Sequence, residues 1–143
     1  MDIKLNDACK KQHEAVLKKG FEPQPVAINL MLIVSELGEA CEADRKNRHA
    51  DYDAFRKVLP YTVNGYNFCC FAQDGTPIPN EIAQVAYKYE FEQRIKDSFE
   101  DEIADAFLRL MDLCGAMNID IESAIKAKAA YNELRPHKHG KAY

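Results

Sequence analysis

The chain has 143 residues, enough for one hydrophobic core and short for two ordinary domains. With 47% hydrophobic and 29% charged residues it has the balance of a globular protein, which excludes a disordered or fibrous chain. A formal net charge of -4 with mixed signs excludes the broad basic surface by which proteins hold nucleic-acid polymers.

The opening MDIKLNDACKK lacks the apolar centre of a secretory leader, and no apolar run approaches the roughly 20 residues that span a bilayer, so a cytoplasmic protein without membrane contact is expected. Helical spacing predicts a first helix from about Leu5 to Lys19, stopped by Gly20. After EPQP, with Pro25 suited to a first turn, a second helix is predicted to reach about Arg48. It starts on the nearly unbroken apolar run VAINLMLIV, which can be buried on every side. Then SELGEACEADRK places Glu36, Glu39 and Glu42 within two turns. At about 100° per residue, Ile28, Leu32, Glu36, Glu39 and Ala43 share one stripe. The acids therefore continue an apolar face, where a surface helix would separate the two classes. They either emerge where the core ends or line a polar cavity.

ADYDAFRKVL reads as a short helix. From Pro60 to Pro79 aromatic and β-branched residues mix with Asn64-Gly65 and Asp74-Gly75. YTVNGYNFCCF suits either a hairpin turning at Asn-Gly or an ordered loop packed by its aromatics. Tyr61, Tyr66, Phe68 and Phe71 are read as filling a small core in preference to stacking on a base. A helical pattern resumes near Asn80 and runs to about Met117, with a break around Asp97-Ser98. In FEDEIADAFLRLMDLCGAM, Glu102 and Asp105 repeat the i, i+3 spacing that puts side chains on adjacent turns. An ordinary solvated stripe, with Asp105 and Arg109 as an i, i+4 ion pair, is the competing reading. Asn118 to Asp120 supply a turn and a cap, and the last helix spans about Ile121 to Leu134 before Pro136. Its stripe of Ile121, Ile125, Lys128, Asn132 and Arg135 turns from apolar to cationic. Such residues supply donors for phosphate oxygens, or simply carry a helix into water.

The cysteines, five in number with Cys69 and Cys70 adjacent, show no CxxC spacing and read as reduced thiols, with Cys41 and Cys114 in the core. His13 and His49 read as surface residues, and His137 and His139 as part of a polar tail. Two acidic pairs on separate helices can build an all-oxygen site whose carboxylates repel one another unless protons or divalent cations neutralise them. Hard oxygen donors without a matching Cys or His set favour Mg²⁺, with Mn²⁺ as the second choice, over zinc.

ELGE, EIAD and KAAYNELRP resemble the ExxE, ExxD and K(x)3N(x)2R signatures of the MazG-like, all-α nucleoside triphosphate pyrophosphohydrolases, over about Ile28 to Glu42 and Phe99 to His139. The resemblance implies an all-α helical bundle, a single domain over 1–143, assembled as a homodimer or homotetramer. It implies Mg²⁺-dependent hydrolysis of (d)NTPs between the α and β phosphates to a nucleoside monophosphate and pyrophosphate. Glu36, Glu39, Glu102 and Asp105 become the expected metal ligands, and Lys128, Asn132 and Arg135 the expected phosphate contacts. Glu39 or a neighbouring carboxylate is expected to orient or deprotonate the attacking water. An insert at about 50–95, irregular or hairpin-containing around 60–79, departs from the compact family pattern. It is read as covering the base pocket, extending an oligomer interface or packing inertly. The alternative expectation is a catalytically silent helical oligomer that binds nucleotides or partner proteins, and a third is a structural bundle with solvated acids.

Overall fold

The computed structural model describes residues 4–58, 62–63, 66–67 and 80–136. Among the described residues the regular elements are six helices and one short ladder: α1 Leu5–Lys18, α2 Val26–Arg45, α3 Tyr52–Val58, β1 Thr62–Val63, β2 Tyr66–Asn67, α4 Asn80–Arg94, α5 Phe99–Ala116 and α6 Ile121–Glu133. The strands pair antiparallel, Thr62 with Asn67 and Val63 with Tyr66. Of the two readings of YTVNGYNFCCF, strand pairing is the one adopted at these positions. The aromatic side chains singled out between 60 and 79, together with Cys69, Cys70, His137 and His139, lie outside the described residues.

Local chemistry explains most of the helix ends. α1 stops just before Gly20, whose φ of 86° lies in the left-handed region that glycine enters without steric cost. α2 ends three residues short of the predicted Arg48, because Asn47 turns left-handed (φ 54°) and the Arg48 N–H closes back onto the Ala43 carbonyl at 2.9 Å. Between α4 and α5, Asp97 is also left-handed (φ 57°). Ser98 then caps α5: its hydroxyl accepts from the Asp101 N–H at 3.2 Å, while the Asp101 carboxylate accepts from the Asp97 N–H at 2.9 Å. α6 starts on Asp120, which accepts from the Ser123 N–H at 3.2 Å.

The chain divides into two compact units, Met1–Ile33 with Phe107–Tyr143, and Val34–Ala106. In the first unit, α1 packs on α6. The Asn6 amide donates to Asp120 at 2.7 Å, and its backbone N–H donates to the Glu122 carboxylate at 3.0 Å. Gly115 allows α5 to approach α1, since a Cβ there would stand 2.3 Å from the Cys9 carbonyl oxygen. Cys9 and Cys114 are buried, whereas Cys41 is exposed. The expectation of a core Cys41 is thus corrected: Ala40 and Ala43 face inward, and Cys41 sits about 100° around the helix from Ala40. His13, expected on the surface, is half-buried and meets the Asp112 carboxylate at 2.8 Å.

In the second unit, α3 and α4 enclose a small core of Phe55 and Ile95, joined by Ala86, Tyr87 and Phe91. Phe55 meets Tyr87 and Phe91 edge-on, at centroid distances of 5.4 and 6.3 Å. Tyr87 and Phe91, one turn apart on α4, stack with their planes 16° apart. The connections are tied by backbone: Asp51 N–H to the Arg94 carbonyl at 3.0 Å, and Phe99 N–H to the Arg48 carbonyl at 2.9 Å. Glu100 accepts from the Ala50 N–H at 2.8 Å and meets His49 Nδ1 at 3.1 Å.

The burial that the apolar run of α2 would allow is not realised among the described residues: Val26, Ile28, Leu30, Met31, Leu32, Val34 and Leu37 are all exposed, Met31 by 64%. Among the described residues no helix is long and apolar enough to cross a membrane.

Candidate metal centre

The candidate site lies within the second unit, where α2 brings Glu36 and the capped start of α5 brings Glu102 and Asp105. One oxygen from each of these side chains lies within 4.8 Å of the others. Glu36 is 8% exposed and Glu102 6%, while Asp105 is exposed. Helix spacing accounts for the burial: Ala40 and Ala106, one turn beyond Glu36 and Glu102, are buried on the same faces. Clusters of exposed acids are common on helices that bind no ion. Burial of two members sets this cluster apart.

The electrostatics follow from that crowding. The Glu102 carboxyl is pushed up to about 7, first by burial and then by the charges of Glu39, Asp101, Glu36 and Asp105. A carboxylate near a helix N-terminus is ordinarily favoured by about 0.3–1 kcal/mol, so desolvation and like charge outweigh the helix here. Asp101 is also raised, chiefly by burial, against the hydrogen bond it accepts from Asp97 and the charge of Lys96.

Of the four acids expected to hold a metal, three converge and Glu39 stands at the rim. Glu39 is exposed and accepts from the Ser35 hydroxyl at 3.4 Å, yet its charge is the largest of those acting on Glu102. Glu42 is occupied elsewhere, paired with Arg45 and with Lys46 at 3.1 Å, and its carboxyl is lowered by those cations. Lys128, Asn132 and Arg135 belong to the other compact unit. The Lys128 ammonium lies 5.1 Å from the centroid of the Tyr131 ring, Asn132 is exposed, and Arg135 is half-buried just past the end of α6.

The donor set fits a hard divalent cation. Mg²⁺ is usually held by one or two carboxylates with water completing an octahedron, whereas zinc prefers nitrogen and sulfur. Among the described residues no His or Cys joins the cluster. Two buried carboxyls side by side call for a proton or a cation between them, and the raised Glu102 expresses that demand.

Sequence reasoning missed the neighbourhood of this cluster. A pocket of about 470 Å³ is lined by Tyr87, Lys88, Phe91, Glu92 and Lys96, and by Asp101 and Asp105 of α5. The available signal was the Tyr-x-x-x-Phe spacing in VAYKYEFEQR, which puts two rings on one helix face. No protein-family model, curated protein or solved structure matches the chain. The likeness to MazG-like enzymes therefore rests on the three short motifs.

Proposed function

We propose that the protein is a Mg²⁺-dependent nucleotide pyrophosphohydrolase of the MazG-like kind, cleaving (d)NTPs between the α and β phosphates to a nucleoside monophosphate and pyrophosphate. The observation that carries this reading is the convergence of Glu36, Glu102 and Asp105, two of them buried, at the motif positions. These carboxylates would hold the ion. When bound, Mg²⁺ supplies charge neutralisation for phosphate oxygens and makes water a stronger nucleophile.

The remaining work falls to side chains. Glu39, at the rim beside the Ser35 hydroxyl, orients the attacking water and takes its proton, a role typically worth about 10²-fold to 10⁴-fold. Glu102 must give up its proton for the ion to bind, so Mg²⁺ affinity rises with pH through about 7. Lys128, Asn132 and Arg135, the positions that the motif resemblance marks for phosphate contact, have the donor chemistry for it, the Arg guanidinium through its bidentate fork. The exposed large apolar side chains of α2 support association with further copies of the chain, as a homodimer or homotetramer, since grouped apolar exposure is a mark of interfaces.

The test is to incubate the purified protein with each common NTP and dNTP plus Mg²⁺ and separate the products. Monophosphate and pyrophosphate are expected, and both disappear with EDTA and in Glu102→Gln. Diphosphate with inorganic phosphate would place the cut at the wrong bond. Absence of turnover on every nucleotide would overturn the enzymatic reading.

A further inference from the structure

We propose that the pocket between α4 and the start of α5 is the nucleoside subsite, with the substrate's base seated against Tyr87 and Phe91 and Lys96 beside the phosphates. The inference rests on the reading above for its substrate class, but on different residues. None of the motifs that resemble the MazG-like family includes any part of α4.

Asp105 belongs both to the carboxylate cluster and to the pocket wall, so a ligand filling the pocket has one end at the cluster. The volume of about 470 Å³ lies within the roughly 300–1,000 Å³ typical of small-molecule sites. Tyr87 and Phe91 are only half-buried, stacked on each other and braced edge-on by the buried Phe55, so a planar group meets rings already held in place. A base stacked on an aromatic side chain gains sequence-tolerant affinity in this way, and preformed rings lose little freedom on binding.

The polar groups around the rings are two lysines, Lys88 and Lys96, and three carboxylates, Glu92, Asp101 and Asp105, so an anionic ligand would meet the ammonium groups and, at the Asp105 end, the ion that the cluster would hold. Lys88 and Lys96 both line the pocket and are exposed. The Lys88 ammonium is 4.0 Å from Glu92, an exposed pair that water screens. Lys96 follows the last turn of α4, its backbone N–H held by the Phe91 carbonyl at 2.9 Å, which fixes it at the α5 side of the pocket near Asp101. An inert gap beneath core aromatics would be closed by apolar side chains; this one is lined by charged groups of both signs, one of them the cluster's Asp105.

The test compares wild type, Phe91→Leu and Lys96→Glu. Equilibrium binding of nucleoside monophosphates, which the proposed reaction cannot cleave further, is measured with Mg²⁺ by calorimetry. KM and kcat for the triphosphates and inhibition by inorganic tripolyphosphate are measured alongside. Phe91→Leu is expected to weaken monophosphate binding and raise KM by about tenfold, with kcat changed less than about twofold and tripolyphosphate inhibition unchanged. Lys96→Glu, an exposed substitution whose melting temperature checks the fold, is expected to raise both constants by a similar factor. Folded variants with wild-type Kd and KM would overturn the subsite and leave the hydrolase reading standing. An equal loss of tripolyphosphate inhibition in Phe91→Leu would also overturn it, because that probe has no base. Monophosphate binding weakened by both variants, in a protein without turnover, would support the subsite while removing the reaction. Wild type that neither binds nor cleaves would remove both.

Discussion

Glu102 and Asp120 each stand at the N-terminal end of a helix, and their surroundings drive them in opposite directions. Asp120 accepts from the Asn6 amide at 2.7 Å and from Ser123 at 3.2 Å, and its carboxyl is held down at about 2, chiefly by the Asn6 hydrogen bond. Glu102 is buried among acids and is pushed up to about 7. Both feel a favourable helix end. What differs is whether the neighbours donate hydrogen bonds or add negative charge. A carboxylate surrounded by donors is committed to holding α1 against α6, whereas one surrounded by acids carries an unfavourable charge that a proton or a cation relieves.

The largest effect that would sharpen this contrast is on turnover. Glu102→Gln should lower hydrolysis by roughly 100-fold or more and abolish the rise in melting temperature caused by Mg²⁺, while Asp120→Asn leaves the Mg²⁺ response intact. An undiminished Mg²⁺ response in Glu102→Gln would mean that the ion does not relieve the charge at Glu102. Glu39→Gln separates rim from cluster: turnover should fall by about 100-fold while stabilisation by Mg²⁺ persists, and normal turnover would remove its assignment as base.

Next in size is a substitution confined to the Asp120 unit. Gly115→Ala forces a methyl group against the Cys9 carbonyl and should cost about 1–3 kcal/mol in urea unfolding, with the Mg²⁺ response unchanged. Glycine in a helix interior costs about 1 kcal/mol relative to alanine, so a net gain would mean that the helices shift apart freely.

The pH dependence then distinguishes the two carboxyls by sign. Between the ordinary Glu value of 4.5 and about 7, folded Glu102 holds a proton that the unfolded chain releases. Without divalent ions, stability should therefore fall as pH rises through that window, by about 1–3 kcal/mol, and Glu102→Gln should flatten the slope. Asp120 works the other way: its contribution is present above 3.8 and is lost as pH falls toward about 2. Asn6→Ala should weaken that acid limb alone, the smallest of these effects because Asp120 is exposed; an unchanged acid limb in thermal melts would reject the assignment.

Much of the helical layout was legible because its signals are local. Gly20 stops α1, Asp97-Ser98 separates α4 from α5, and Asp120 caps α6, each through bonds to residues a few positions away. The end of α2 was placed late because Asn47 carries no apolar signal, only the capacity to turn left-handed. Facing was less legible. Residue type favours a core Cys41, yet angle around the helix decides burial, and the large apolar side chains of VAINLMLIV are exposed among the described residues. Tyr87 and Phe91 lie in a polar helical stretch whose apolar signal is weaker than that of the aromatic residues in 60–79.

Turns, caps and i, i+3 spacings depend on neighbours along the chain, so the helical class, most of the breaks and caps, and the pool of acids from which a site could be drawn are set locally. Tertiary structure decided that Glu36 meets Glu102 and Asp105 while Glu39 stays at the rim and Glu42 turns to Arg45 and Lys46. It also raised Glu102 and set the pocket against Asp105. Those outcomes depend on the approach of separate helices to within a few ångströms, where small changes in facing determine whether a charge meets water, a donor or another charge, and no spacing along one helix encodes that.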